Sequence, residues 1–151
     1  MNRFHRSVYN VALRMLGNVQ DAEDVTQTTF GNAFASLESY DPKYRFFSWI
    51  YRMTVNESLN TLKRRKDVVS LDGSFDVATP DASSESDAEE RVGRALLELK
   101  PEDRAVVVLR HFVSFSYEEI SDVLDVPVKT VKSRLFTARE RLRDSLVAAS
   151  A

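Results

Sequence analysis

The stretch SYEEISDVLDVPVKTVKSRLFTARERLRDSL, residues 116–146, decides the fold. Ser116 with Glu119 three positions on is a capping box, in which side chain and backbone satisfy each other's unpaired groups. The short helix it opens buries Ile120, Val123 and Leu124. Asp125-Val126-Pro127 breaks it, and a longer helix starts near Val128. The apolar positions of that helix are Val128, Val131, Leu135, Ala138, Leu142 and Leu146, a narrow stripe suited to packing on neighbouring helices. A capped helix, a tight turn and a longer basic helix form a helix-turn-helix pattern. In such a unit the second helix enters the major groove, its N-terminal part meeting base edges. With Val131 and Leu135 inward, the outward residues are Lys129, Thr130, Lys132, Ser133, Phe136 and Thr137, flanked by Arg134 and Arg139. Lys, Ser and Thr can bond to bases or phosphates, and Phe136 can meet a thymine methyl. A plain helical hairpin with a solvated basic face has the same spacing.

Upstream, Val92, Ala95, Leu96 and Leu99 predict one helix, stopped by Lys100-Pro101, and Glu102 to Phe112 predicts another. The first part of the chain is also helical. Phe4, Val8, Val11, Ala12, Met15 and Leu16 fall at helical spacing in 2–17, and Gly17-Asn18 ends that helix. Asp21, Glu23 and Asp24 suit a helix N-terminus. The helix they open runs to about Leu37, with Val25, Phe30, Ala33, Phe34 and Leu37 on one face. After the turn at Asp41-Pro42, a third helix from Phe47 to Lys66 carries an apolar face of Ile50, Met53, Leu59 and Leu62. Its terminal run Lys63-Arg64-Arg65-Lys66 is in part ordinary helix-dipole chemistry.

Charge divides the chain in three. Residues 1–66 hold ten basic and six acidic residues, 67–90 eight acids and no Lys or Arg, and 91–151 eleven basic and nine acidic. Two basic lobes therefore flank an acidic stretch whose Ser, Asp and Ala content and weak apolar periodicity predict a flexible linker. The lobes are expected to meet an anionic partner. No stretch approaches the roughly 18 apolar residues of a membrane span. The N-terminus lacks the pattern of a signal peptide. With no cysteine, disulfide and thiolate chemistry are excluded, which is compatible with a cytoplasmic protein. There is no P-loop or GxGxxG among the four glycines, and His5 and His111 have no metal-ligand spacing around them, so neither an enzyme nor a cofactor is expected.

YDPKYRFFSWIYR, residues 40–52, concentrates six of the fifteen aromatics of the chain. Buried core is the ordinary fate of such rings. Yet Lys43, Arg45 and Arg52 interleave with them, and basic groups beside aromatic faces make a platform for unstacked bases. Phe47, Ile50 and Met53 are expected inside, while Tyr44, Phe46, Arg52 and Trp49 border the platform; composition leaves each ring's side open.

Three runs, DAEDVTQTTFGNAF, FFSWIYRMTVNESLNTLKRR and LKPEDRAVVVLRHF with the helix-turn-helix segment, stand in an order that resembles the extracytoplasmic-function (ECF) sigma factors. These are sigma-70 family proteins with regions 2 and 4 only. The resemblance implies an all-α chain of two small helical domains: a region 2 bundle over 1–66, an acidic linker over 67–90 and a region 4 helix-turn-helix domain over 91–151. It implies a non-catalytic initiation subunit that binds core RNA polymerase and directs it to promoter DNA. Asp21, Asp24 and Gln27 would meet the polymerase clamp helices, and region 4 the flap. Tyr44, Phe46, Trp49, Arg52, Asn56 and Asn60 would lie near the melted −10 strand, with Lys63, Arg64 and Arg65 on phosphates. Lys132, Ser133, Phe136 and Thr137 would face the −35 major groove. Many relatives are held inactive by an anti-sigma factor, which becomes a candidate partner. A stand-alone helix-turn-helix regulator is the alternative, and it leaves the first lobe without a role. Three departures stand out. The family usually carries a longer segment before Phe4, so part of the first hairpin is expected to be absent and region 2 less stable. Thr26 and Thr28 replace a hydrophobic residue and a glutamate. Ser114 replaces a glycine, a backbone penalty if that site needs positive φ.

Overall fold

The computed structural model describes residues 2–40, 42, 46–72 and 87–150, and every regular element among them is helical. Helix α1 (Asn2–Leu16) buries Val8, Val11, Ala12, Met15 and Leu16, the face read from its spacing. It stops because Gly17 takes φ +68, where its N–H donates to the Leu13 carbonyl at 2.7 Å. Asn18 then caps α2 (Val19–Ala35), its Oδ1 accepting from the Asp21 N–H at 2.9 Å. A 3₁₀ turn (Leu37–Ser39) leads towards α3 (Phe46–Asp72), which continues six residues beyond the predicted Lys66. These three helices pack pairwise. Thr54 and Ser58 of α3 are buried in that packing, and their hydroxyls donate to the carbonyls of Ile50 at 2.9 Å and Thr54 at 2.8 Å. Turning small hydroxyls back on their own helix hides the polar groups without a cross-helix partner. Thr26 on α2 does the same towards Ala22 at 2.7 Å, so a threonine fits where the resemblance expects a hydrophobic residue.

The second half contains α4 (Asp87–Glu98), α5 (Pro101–Val107), a π-helical turn (Val108–Phe112), α6 (Tyr117–Leu124) and α7 (Val128–Ser150). Pro101 opens α5 at a position where its missing N–H costs nothing. Ser114 has φ 66, so the expected backbone penalty is present. The capping box of α6 forms in full, with Ser116 and Glu119 exchanging bonds of 2.9 and 3.1 Å. Asp125 ends α6 in the left-handed conformation, φ 55.

The two halves are packed together. One cluster of buried side chains includes Val8, Met15, Ile50 and Tyr51 from the first and Leu96, Val106, Phe115 and Ile120 from the second. Helices α1 and α3 touch α4, α5, the π turn and α6. A Cβ at Gly17 would lie 2.6 Å from Leu97 Cδ1, so glycine is required here both for its φ and for this close approach. Residues 73–86, the centre of the expected linker, lie outside the described residues, as do Lys43, Tyr44 and Arg45.

Candidate nucleic-acid interface

The aromatic stretch divides its rings between core and surface. Tyr51 is core: only 4% exposed, it bonds its hydroxyl to Ser7 Oγ and meets Phe115 edge-on at 5.3 Å. Burial raises the pKa of its phenol. Phe46 and Trp49 lie outward of it, 5.8 Å apart, with Tyr40 stacked at a tilt 5.0 Å from Trp49. Phe47, expected inside, is 53% exposed, with its ring 4.9 Å from Phe4. The Phe47 ring leans on Phe4 and meets Phe46 edge-on at 6.3 Å, and the rest of it is left open.

The predicted apolar face of α2 needs a similar correction. Phe34 is 78% and Leu37 55% exposed. Phe4 reaches Phe30, 6.5 Å away, but no described element covers the next turn. The result is an apolar groove of about 390 Å³ rimmed by Phe4, Phe30, Phe34, Leu37, Phe46 and Trp49.

Along α3, Trp49, Arg52, Asn56, Asn60 and Lys63 recur every three or four residues and form one stripe. Asn56, Asn60 and Lys63 are exposed, and Trp49 and Arg52 half-buried. Arg52 faces Asp125 of the α6–α7 turn at 3.6 Å. Arg64 is exposed and reaches Glu57 at 3.4 Å. Arg65 departs from the stripe. Its guanidinium donates to the Leu16 carbonyl at 3.1 Å and pairs with Asp21. It therefore secures the end of α1, and it engages one of the three residues expected to meet the polymerase. Asp24 and Gln27, the other two, are exposed on the outer face of α2, beside an equally exposed Thr28.

On α7 the structure brings the expected recognition residues together on one open face. Lys129, Lys132, Ser133, Phe136, Thr137 and Arg139 are exposed, Thr130 and Arg134 half-buried, while Val131, Leu135 and Ala138 are buried behind them. Phe136 is 70% exposed, with the exposed polar residues Lys132, Ser133 and Thr137 around it. Lys132 Nζ sits 6.0 Å above the Tyr117 ring, and Arg110 lies 4.8 Å from the same ring. Arg139 Nε approaches His111 Nε2 at 3.4 Å. His111 is held below the usual histidine range by burial first, then by the charges of Arg139 and Arg110.

Sequence reasoning missed Arg104. It is 5% exposed and donates to the carbonyls of Leu96, Leu97 and Leu99 at 2.8–3.0 Å, and to that of Met15 across the two halves. One guanidinium thus satisfies the C-terminal carbonyls of α4 and α1. Burial, and secondarily the charge of Arg65, lower its pKa to about 10, which leaves it protonated at neutral pH. In sequence it reads as an ordinary charge in PEDR, and nothing local marks it as buried.

Among the described residues no helix is long and apolar enough to cross a membrane, and no group of His, Cys, Asp or Glu is arranged to hold a metal.

Comparisons with known proteins agree with this layout. The family model for sigma-70 region 2 matches residues 1–68, and that for sigma-70 region 4 matches 89–142. The ECF RNA polymerase sigma factor SigW of Bacillus subtilis (strain 168) is 30% identical over 92% of this chain and 82% of its own length. The ECF RNA polymerase sigma factor SigE of Mycolicibacterium smegmatis is 40% identical over 92% of this chain and 57% of its length. Among solved structures, the sigma factor RpoE of Bartonella quintana, in complex with the anti-sigma factor NepR, aligns with a TM-score of 0.82 at 27% identity, covering 95% of this chain and 91% of that one. CnrH, in complex with the cytosolic domain of CnrY, gives 0.73 at 26% identity over 99% and 86%. The chain belongs to the sigma-70 family, as one of its ECF RNA polymerase sigma factors.

Proposed function

We propose that this ECF sigma factor divides promoter recognition between the stripe on α3 and the open face of α7. The protein is a non-catalytic initiation subunit that directs core RNA polymerase to promoters. Within that function, residues 1–66 serve as region 2 and 91–151 as region 4, with the acidic stretch 67–90 between them, its two ends taken up by α3 and α4. Phe46, Trp49, Arg52, Asn56 and Asn60 flank a melted −10 strand, the rings stacking on bases and the amides bonding to their edges. Lys63 and Arg64 take phosphates. Arg65 acts indirectly, by holding the end of α1 and the position of Asp21. Lys132, Ser133, Phe136 and Thr137 read the −35 major groove, with Lys129, Thr130, Arg134 and Arg139 contacting its backbone. Asp24 and Gln27 contribute to the polymerase contact. The partners are core polymerase, through its clamp helices and flap, promoter DNA, and an anti-sigma factor of the kind seen with RpoE. The protein works in the cytoplasm, with its template.

The single observation that carries the assignment of faces is Phe136, a large apolar ring left 70% exposed at the centre of a basic helix face. Exposing it is unfavourable unless a partner covers it. The test is run-off transcription with purified core polymerase, with and without this chain, on genomic promoter fragments. Stimulation of defined start sites supports the reading; absence of stimulation on every fragment, with duplex binding independent of polymerase, supports a stand-alone regulator instead. Affinity should also fall with salt, on the order of a thousandfold from 50 to 200 mM if about six phosphates are met.

A further inference from the structure

Around the π turn, basic groups gather on a surface that lacks opposite charge. His111 Nε2 receives two guanidinium donors of Arg139, Nε at 3.4 Å and Nη2 at 3.3 Å. Only a ring with no proton on Nε2 can accept them. The preceding residue, Arg110, lies over the Tyr117 ring at the start of α6, which Lys132 of α7 also approaches. From α1, the Arg14 guanidinium lies over the Phe112 ring at 4.4 Å. The other groups packed on the turn bring no counter-charge. Arg104 of α5 is turned into backbone carbonyls, and Glu119 of α6 is held in its capping box. Among the described residues, none of Arg14, Arg110, Lys132 and Arg139 lies within ion-pair distance of a carboxylate.

Gathering like charges costs free energy unless an anion joins them. This surface adjoins the recognition face. Lys132 belongs to that face, and Arg139 stands one helical turn beyond Phe136. His111 is exposed beside them, and it alone among these groups changes charge near neutral pH. In the free chain its proton is kept off by burial and by the charges of Arg139 and Arg110. A backbone phosphate reverses the electrostatic part: it competes for the Arg139 guanidinium, which frees Nε2, and its own charge favours an imidazolium.

We propose that His111 is a proton-dependent contact to the DNA backbone beside the −35 recognition face: an arriving phosphate draws Arg139 off Nε2, and the ring takes a proton from solvent and becomes a second cation on that phosphate. The inference rests on the assignment of α7 to the −35 element proposed above. Because the bound chain holds one more proton than the free chain, affinity rises as pH falls through the histidine range. The gain stops below the pKa of the free ring, where both states are protonated.

The test uses the full chain assembled with core polymerase and a labelled promoter duplex. His111→Gln keeps an acceptor for Arg139 but cannot take up a proton, and His111→Arg carries the charge at every pH. The ratio of parent to His111→Gln affinity cancels other effects of pH. It should rise about fivefold from about pH 8 to about pH 6, since one proton gives at most about tenfold per pH unit. Over the same interval the salt slope of the parent should steepen by about 0.9, one more cation on phosphate, while that of His111→Gln stays constant. His111→Arg should bind at the higher pH as tightly as the parent does at the lower. A residue that merely supported the fold would move neither slope nor ratio. A ratio flat with pH overturns the proposal. A ratio that falls with acid overturns it too, and would make the neutral ring an anchor for Arg139. Lys132→Ala serves as the control for the face. If it weakens binding while the ratio stays flat, only the His111 contact falls. If it binds like the parent at both pH values, the face is misassigned and the proposal falls with it.

Discussion

The guanidinium of Arg52 lies 3.6 Å from the carboxylate of Asp125, joining the α3 stripe to the turn between α6 and α7. Asp125 holds φ 55, a conformation glycine adopts at less cost. The carboxylate is largely exposed, so the pair is worth at most about 1 kcal/mol. Replacing Asp125 by glycine relieves the backbone and removes the pair, and the two changes oppose each other. Asp125→Gly is expected to alter unfolding free energy by less than about 1 kcal/mol in denaturant titration. A loss above about 2 kcal/mol would show that Asp125 holds more than Arg52.

Arg104 gives a larger effect. Its five N–H donors suit the cluster of carbonyls from Leu96, Leu97, Leu99 and Met15, and a lysine ammonium cannot reach them all. Arg104→Lys is expected to destabilise by about 2–4 kcal/mol, because at least two buried carbonyls lose their donor. Thermal unfolding would check this, and an unchanged Tm would mean that the carbonyls find other partners.

These two arginines show where the sequence was legible and where it was not. The helix-turn-helix followed from local signals: a capping box, a breaker and a stripe of Val131, Leu135 and Ala138 that is buried as its spacing requires. The helices of the first half were equally readable, except at their ends. Asn18 read as a terminator and is also the cap of the next helix. Arg104 was illegible because its partners lie on α4 and α1, and no local pattern encodes a carbonyl cluster assembled by tertiary packing. Phe34 and Phe47 misled because apolar spacing gives a face but not whether anything covers it. The packing of the halves left no trace in periodicity, since Gly17 and Leu97 lie far apart in sequence.

Phe136 separates recognition from stability. Its side chain is mostly in solvent, so Phe136→Ala should change unfolding free energy by no more than about 0.5 kcal/mol. Lys132→Ala, also at an exposed position, should behave likewise. If these residues meet base edges, each substitution removes about 1–3 kcal/mol of discrimination, roughly tenfold to over a hundredfold. The measurement is run-off transcription on promoters with intact and scrambled −35 elements. Wild-type activity on both would reject the assignment.

Asn56 tests the other face by the same logic. It is exposed on α3 between Arg52 and Asn60 and is available to bond a displaced base. Asn56→Ala should leave thermal unfolding unchanged and reduce open-complex formation, read as permanganate reactivity of unpaired thymines. A premelted −10 bubble bypasses duplex opening but not base contact. Loss of activity on the bubble template as well would place Asn56 on the bases; full rescue would assign it to strand separation.

His111 adds a pH dependence on the second half. Burial and the neighbouring charges of Arg139 and Arg110 hold its pKa below the ordinary value. Its Nε2 faces Arg139 Nε at 3.4 Å, where a neutral ring can accept and an imidazolium cannot. The unfolded chain therefore binds this proton more readily than the folded one. The stabilising contribution is present above the unfolded pKa and is lost as pH falls through that value towards the folded one. Arg139→Ala removes the acceptor contact and one positive charge, and should raise the His111 pKa in an NMR titration of its ring protons. Because Arg139 also borders the recognition face, DNA at that face would compete for its guanidinium. Saturating duplex with the cognate −35 element should move the His111 resonance, whereas a scrambled duplex at high salt should leave it in place. Equal shifts with both would mean that Arg139 meets phosphate without regard to sequence.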